Sequence, residues 1–181
     1  MKKNRHINKV AVIGSGIMGS RIACHFANIG VEVLLLDIIP FDLTEEQLKD
    51  NSIRNSIVND ALKSTLKSKP SPIYSKEFVN KITTGNLDDD LHRIADVDWI
   101  IEVVVEKLDI KKQVFEKIEK FRKEGTLISS NTSGIPIESM IDGRSEDFQK
   151  HFCGTHFFNP PRYLKLLEII PTSKTDTELL S

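Results

Sequence analysis

The sequence predicts an α/β fold: a three-layer, doubly wound, mostly parallel sheet with a helical hairpin inserted at about residues 42–81. Short apolar runs alternate with stretches of helical periodicity along most of the chain, the pattern left by parallel strands joined by crossover helices. The first strand, helix and second strand fit within about 30 residues, the length of one right-handed βαβ unit. Hydrophobic residues fill 39% of 181 positions, enough to bury a core in one domain without disulfide or metal staples.

Each element has its own local reason. Residues 9–13 (Lys-Val-Ala-Val-Ile) run into Gly14 and read as a buried strand entering a tight turn. Ile17, Ile22, Phe26 and Ile29 recur at helical spacing, and Gly30 stops that helix. Residues 31–36 form a second strand, closed by Asp37. Ile53, Ile57, Ala61, Leu62 and Leu66 mark a helix over residues 50–69, ended by Pro70 and Pro72. A second short helical piece at 76–81 completes the hairpin before a strand at 82–85. The alternation then resumes, with a strand at 99–105 interrupted by Glu102 and an amphipathic helix at 109–121. A strand at 126–129 and a short helix at 135–141 follow. Strands at 152–158 and 164–170 flank the rigid turn Asn159-Pro160-Pro161.

Composition excludes several classes. Lys+Arg 25 against Asp+Glu 26 gives a net charge of −1, so no basic field points to nucleic acid. The segment 1–6 is basic, but Gly14 and Gly16 break the apolar stretch behind it, which is no signal-peptide core. No run reaches the ~20 apolar residues of a membrane span. Cys24 and Cys153 make neither a disulfide framework nor a zinc spacing, so no metal is expected. Reduced thiols and a cytoplasmic location are expected. The polar end, residues 172–181, carries no stop signal, and a longer parent chain is expected.

Gly14-Ser15-Gly16-Ile17-Met18-Gly19 fits G-x-G-x-x-G between a strand and a helix, and Asp37 ends the next strand about 20 residues on. The first glycine permits the tight turn, the second lets a pyrophosphate approach the backbone, and the third lets helix pack on strand. The helix start offers free N–H groups to the phosphates. This is the Rossmann-type arrangement, with Gly14, Gly16, Ile17, Met18 and Gly19 as the cradle. Asp37 accepts hydrogen bonds from a ribose 2′-OH and repels a 2′-phosphate, which favours NAD over NADP. A glycine-rich turn without a ligand is the plainer reading. The missing Gly-Lys-Ser/Thr pairing excludes a P-loop nucleotide triphosphatase.

Oxidising an alcohol by hydride transfer needs a base for the hydroxyl proton. Of five histidines, His6 lies in the basic tail, and His25 and His92 lie in helical surroundings as surface or packing residues. His156 sits near a strand end before Pro160-Pro161, and Glu168 interrupts the next apolar run. An acid in such a run needs a partner. Two adjacent strands bring Glu168 to His156 as a carboxylate–imidazole pair, on the orienting logic of a catalytic triad. A structural salt bridge is the alternative.

Three stretches resemble one family. Val12-Ile-Gly-Ser-Gly-Ile-Met-Gly19, Ser130-Asn-Thr-Ser133 and the block from Gly154 through His156, Asn159, Arg162 and Glu168 to Ile170 are similar to L-3-hydroxyacyl-CoA dehydrogenases, in the wording of bacterial fatty-acid β-oxidation members. The resemblance implies NAD-dependent oxidation of L-3-hydroxyacyl-CoA to 3-ketoacyl-CoA. It implies His156 as general base, Glu168 as its support and Ser133 on the substrate oxygen beside the nicotinamide. Asn159 would contact substrate or cofactor, and Glu106 and Lys111 the ribose and nicotinamide end. Plainer readings exist: Ser133 as a helix cap, Glu106 and Lys111 as a solvated pair, Asn159 as a turn residue.

In this family the inserted hairpin grips the CoA tail. Lys63, Lys67 and Lys69, with Ser56 upstream, offer point charges for a 3′-phosphate; a solubilising face is the alternative. The family also continues into an all-helical C-terminal domain that completes the acyl pocket and the homodimer interface. That domain is absent from the 181 residues, so an exposed apolar patch is expected where it would sit. The alternatives on this scaffold are a short-chain 3-hydroxybutyryl-CoA or sugar-acid dehydrogenase, or a non-catalytic NAD(H)-binding module.

Overall fold

Among the residues described by the computed structural model, 5–180, the strands are β1 (Lys9–Ile13), β2 (Glu32–Asp37), β3 (Ile82–Asn86), β4 (Trp99–Glu102), β5 (Leu127–Ser130), β6 (Phe152–Phe157) and β7 (Leu167–Pro171). Residues 1–4 of the basic N-terminal segment and Ser181 lie outside the description. The strands form one sheet in the order β3-β2-β1-β4-β5-β6-β7. Every pairing is parallel except β6 with β7. This is the expected doubly wound sheet, with its switch point between β1 and β4.

The central strands β1, β2 and β4 are mostly apolar and buried because both faces of the sheet are covered there. On β1, Ala11 and Ile13 join one core cluster, and Val10 and Val12 join the other, as the two-residue period demands. The first cluster packs under α4 (Leu108–Phe121), where Phe115 meets Phe148 and Phe152 at 5.6 and 5.4 Å between ring centroids. The second packs under α1 (Ile17–Asn28) and the insertion, through Ile22, Phe26, Val58 and Leu62.

The insertion departs from a continuous helix over 50–69. It breaks at Asn55 into α2 (Asn51–Arg54) and α3 (Ser56–Leu66). The Asn86 side chain on β3 donates to Asn55 Oδ1 at 2.8 Å, and asparagine competes poorly as a helix former. Residues 76–81 form the expected second piece, as a 3₁₀ turn. Between them, buried Asn28 donates to Pro72 O (2.9 Å) and accepts from Tyr74 N–H (2.8 Å), which ties the insertion to α1.

Three other boundaries move for local reasons. β4 ends at Glu102, not at 105, because the Glu102 carboxylate accepts the Val104 N–H at 2.7 Å and draws the chain off the sheet. The helix expected at 135–141 is one turn, α5 (Glu138–Ile141), since Pro136 disfavours helical backbone at Ile135. β7 starts at Leu167, not at 164, because the N–H groups of Tyr163 and Leu164 turn back to Pro160 O. α6 (Glu146–Lys150) and the 3₁₀ turn Leu91–Asp96 are not legible in the apolar spacing.

Leu164, Leu166, Ile169 and Ile170 are exposed on and just before β7. Both cysteines are free and buried. Among the described residues no helix is long and apolar enough to cross a membrane, and no cluster of acids, histidines and cysteines could hold a metal ion.

Candidate active site

The glycine-rich turn lies at the C-terminal end of β1. Gly14 takes φ +103°, and a Cβ there would stand 2.7 Å from Val103 O. A Cβ on Gly19 would stand 1.8 Å from Gly14 O, so only glycine lets α1 approach β1 this closely. Gly16 is different: nothing lies within 4 Å of its Cβ position, and it begins α1 without a side-chain cap. The first N–H groups of α1 therefore face open space beside exposed Ile17 and half-buried Met18. Asp37 stands beside the turn. Its Oδ2 accepts from the Ser15 N–H (2.6 Å) and hydroxyl (2.5 Å), and its Oδ1 from Ile38 N–H (2.7 Å). A bare backbone cradle at a helix start, with a carboxylate at the next strand end, fits a dinucleotide.

On the far side of the switch point, the antiparallel register sets His156 directly opposite Glu168. Nδ1 of His156 lies 2.9 Å from Glu168 Oε2, and Nε2 lies 3.2 Å from Ser133 Oγ. An ionised carboxylate only accepts, so Nδ1 carries the proton and Nε2 presents its lone pair to the Ser133 hydroxyl. The expected strand pairing is thus present. Ser133 caps no helix: α5 starts only at Glu138 without a side-chain cap, and the Ile135 N–H goes to Thr132 Oγ1 at 3.2 Å.

Glu106 fastens that loop. It accepts from the Thr132 hydroxyl and from the N–H groups of Ser133 and Gly134, both at 3.1 Å. Partial burial opposes its ionisation, but those hydrogen bonds and the Lys111 charge outweigh it and hold the carboxyl down at about 2. Lys111 is no solvated partner. It is fully buried, with Nζ 2.8 Å from Glu102 Oε1 and 3.3 Å from Glu106 Oε2. It presents no surface of its own and reaches the site through Glu106. Burial pushes Glu102 up, against the opposing pull of Lys111, Ser130 and Val104.

The other expected residues are more peripheral. Asn159 is exposed and accepts from the Arg21 guanidinium of α1. Lys63 and Lys67 are exposed on α3 and at its end, without an ion pair among the described residues. They meet none of the residues around His156. His25, half-buried edge-on to Phe26 and Phe157, is pushed down by burial. His6 and His92 are exposed, and His151 bonds to Asp147. Asn131 and Glu102 went unassigned by the sequence. Asn131 accepts the Phe157 N–H at 3.0 Å and pins the end of β6. Glu102 carries the same signal that marks Glu168, an acid inside an apolar run.

Comparison with known proteins identifies the family. The family model for "3-hydroxyacyl-CoA dehydrogenase, NAD binding domain" matches residues 9–181. A probable 3-hydroxyacyl-CoA dehydrogenase of Bacillus subtilis is 54% identical over 98% of this chain and 23% of its own length. Its counterpart in Deinococcus radiodurans is 49% identical over 96% and 48%, respectively. The chain thus spans about a quarter to a half of these relatives. The crystal structure of 3-hydroxybutyryl-CoA dehydrogenase from Escherichia coli superposes with a TM-score of 0.71 at 28% identity, over 97% of this chain and 34% of that one. The chain belongs to the 3-hydroxyacyl-CoA dehydrogenase family, whose NAD-binding domain it carries.

Proposed function

We propose that this chain supplies the NAD site and the base of an NAD-dependent enzyme that oxidises L-3-hydroxyacyl-CoA to 3-ketoacyl-CoA in fatty-acid β-oxidation. The observation that carries the reading is the linked Ser133–His156–Glu168 arrangement at the C-terminal end of the sheet. NAD, when bound, supplies the hydride acceptor. Ser133 holds the substrate oxygen, Nε2 of His156 takes the hydroxyl proton, and Glu168 supports the resulting imidazolium through Nδ1–H. Asp37 takes the ribose hydroxyl and disfavours a 2′-phosphate. Glu106, Lys111 and Asn159 shape the nicotinamide end, and Lys63 and Lys67 face the CoA phosphates.

Relatives named as putative fatty acid oxidation complex trifunctional enzymes in Rickettsia species support the metabolic setting. Likeness to two 3-hydroxybutyryl-CoA dehydrogenase structures favours a short-chain variant as the second reading. A helical C-terminal domain, a homodimer built through it and a cytoplasmic location belong to the same proposal. Two free thiols, pushed up to about 11 by burial, accord with that location. The test is His156→Gln in the protein at its natural length. Turnover of a 3-hydroxyacyl-CoA series is expected to fall about 10²- to 10⁴-fold, with NADH affinity unchanged. Undiminished turnover would refute His156 as the base.

A further inference from the structure

Glu102 has no part in the reaction above, yet it is built into the site. It ends β4 at the switch point, in register with Ile13 of β1 and Ser130 of β5. Its side chain is fully buried and saturated: Oε1 accepts from Lys111 Nζ (2.8 Å) and Val104 N–H (2.7 Å), and Oε2 from the Ser130 hydroxyl. Lys111 is equally buried. A buried ion pair is a poor way to stabilise a core, and well-packed apolar residues often do as well or better. Ile100 and Ile101, the residues just before Glu102, are themselves buried and apolar. The pair therefore calls for a reason besides stability.

The geometry supplies one. From Glu102 the contacts run to Lys111, from Lys111 to Glu106 at 3.3 Å, and from Glu106 to the N–H groups of Ser133 and Gly134. The Ser133 hydroxyl then meets Nε2 of His156. We propose that Glu102 is a positioning residue: it holds the Lys111 ammonium against Glu106, and Glu106 in turn fixes the Ser133 loop at His156. This role rests on the dehydrogenase reading given above. The competing role, an ion pair that only stabilises the fold, makes different predictions.

The protein at its natural length is compared with a Glu102→Leu/Lys111→Met double variant and with Glu102→Gln. The double variant exchanges the pair for apolar side chains of similar volume, which leaves the Val104 N–H and the Ser130 hydroxyl without their acceptor, so it is expected to stay folded with a modestly lower melting temperature. Its kcat is nevertheless expected to fall about 10- to 100-fold with KM for acyl-CoA nearly unchanged, as for a group misplaced in the transition state. Hydrogen exchange at the Ser133 and Gly134 amides is expected to quicken, while core amides of β4 and β5 stay protected. Glu102→Gln keeps the shape and one acceptor, so a smaller loss of about 3- to 10-fold in kcat is expected; it serves alone if the double variant does not fold. Wild-type kcat and loop protection in a stable variant would overturn the role, as would losses that simply track melting temperature. If the wild-type protein fails to oxidise 3-hydroxyacyl-CoA, the functional reading fails, and loop exchange still decides the positioning role.

Discussion

Glu106 shows how a half-exposed side chain becomes a structural anchor. Hydrogen bonds from Thr132, Ser133 and Gly134 and the charge of Lys111 prevail over partial burial and lower its carboxyl from 4.5 to about 2. A depressed folded-state value gives stability that is fully present above the unfolded value and is lost as pH falls through the folded one. The melting-temperature gap between wild type and Glu106→Gln is therefore expected to be full above pH 4.5, to narrow below it, and to close near pH 2. A gap independent of pH would mean that the charge of Glu106 does not hold the loop. The pairing of His156 with Glu168 was legible because an acid inside an apolar strand demands a partner. The same demand at Glu102 points inward to Lys111, and the sequence does not say where an α4 side chain nine residues on will lie.

Among elements, α1 separates two jobs of glycine. A Cβ at Gly19 collides with Gly14 O, whereas a Cβ at Gly16 meets nothing within 4 Å. Gly19→Ala is expected to destabilise the fold by about 1–3 kcal/mol through forced separation of α1 from β1. Gly16→Ala should keep wild-type stability but weaken NADH about tenfold or more, because a methyl group blocks the pyrophosphate's approach to the backbone. Urea unfolding and NADH titration of both variants check this; equal stability losses would contradict it. Local pattern sufficed for β1, α1 and β2, whose apolar period and glycine stops lie within the segment itself. It failed at Asn55, where the break is fixed by Asn86 on a distant strand, and at β4, where Glu102 captures the Val104 N–H.

At the scale of the whole molecule, strand order does the assembling. β1 carries the phosphate cradle, Asp37 on β2 flanks it, and β6 carries His156 three strand spacings away from β1, about 14 Å. A dinucleotide laid across the strand ends at the switch point spans from one to the other. The cradle therefore carries the central claim, and it is accessible in the 181-residue chain itself. Calorimetric titration with NADH and then NADPH tests it most directly. Saturable NADH binding, with NADPH weaker by about 10- to 100-fold because Asp37 rejects the added phosphate, is the expected result. Equal affinity for the two, or no binding of either by a folded sample, would contradict the assignment of Gly14–Gly19 and Asp37 as an NAD site.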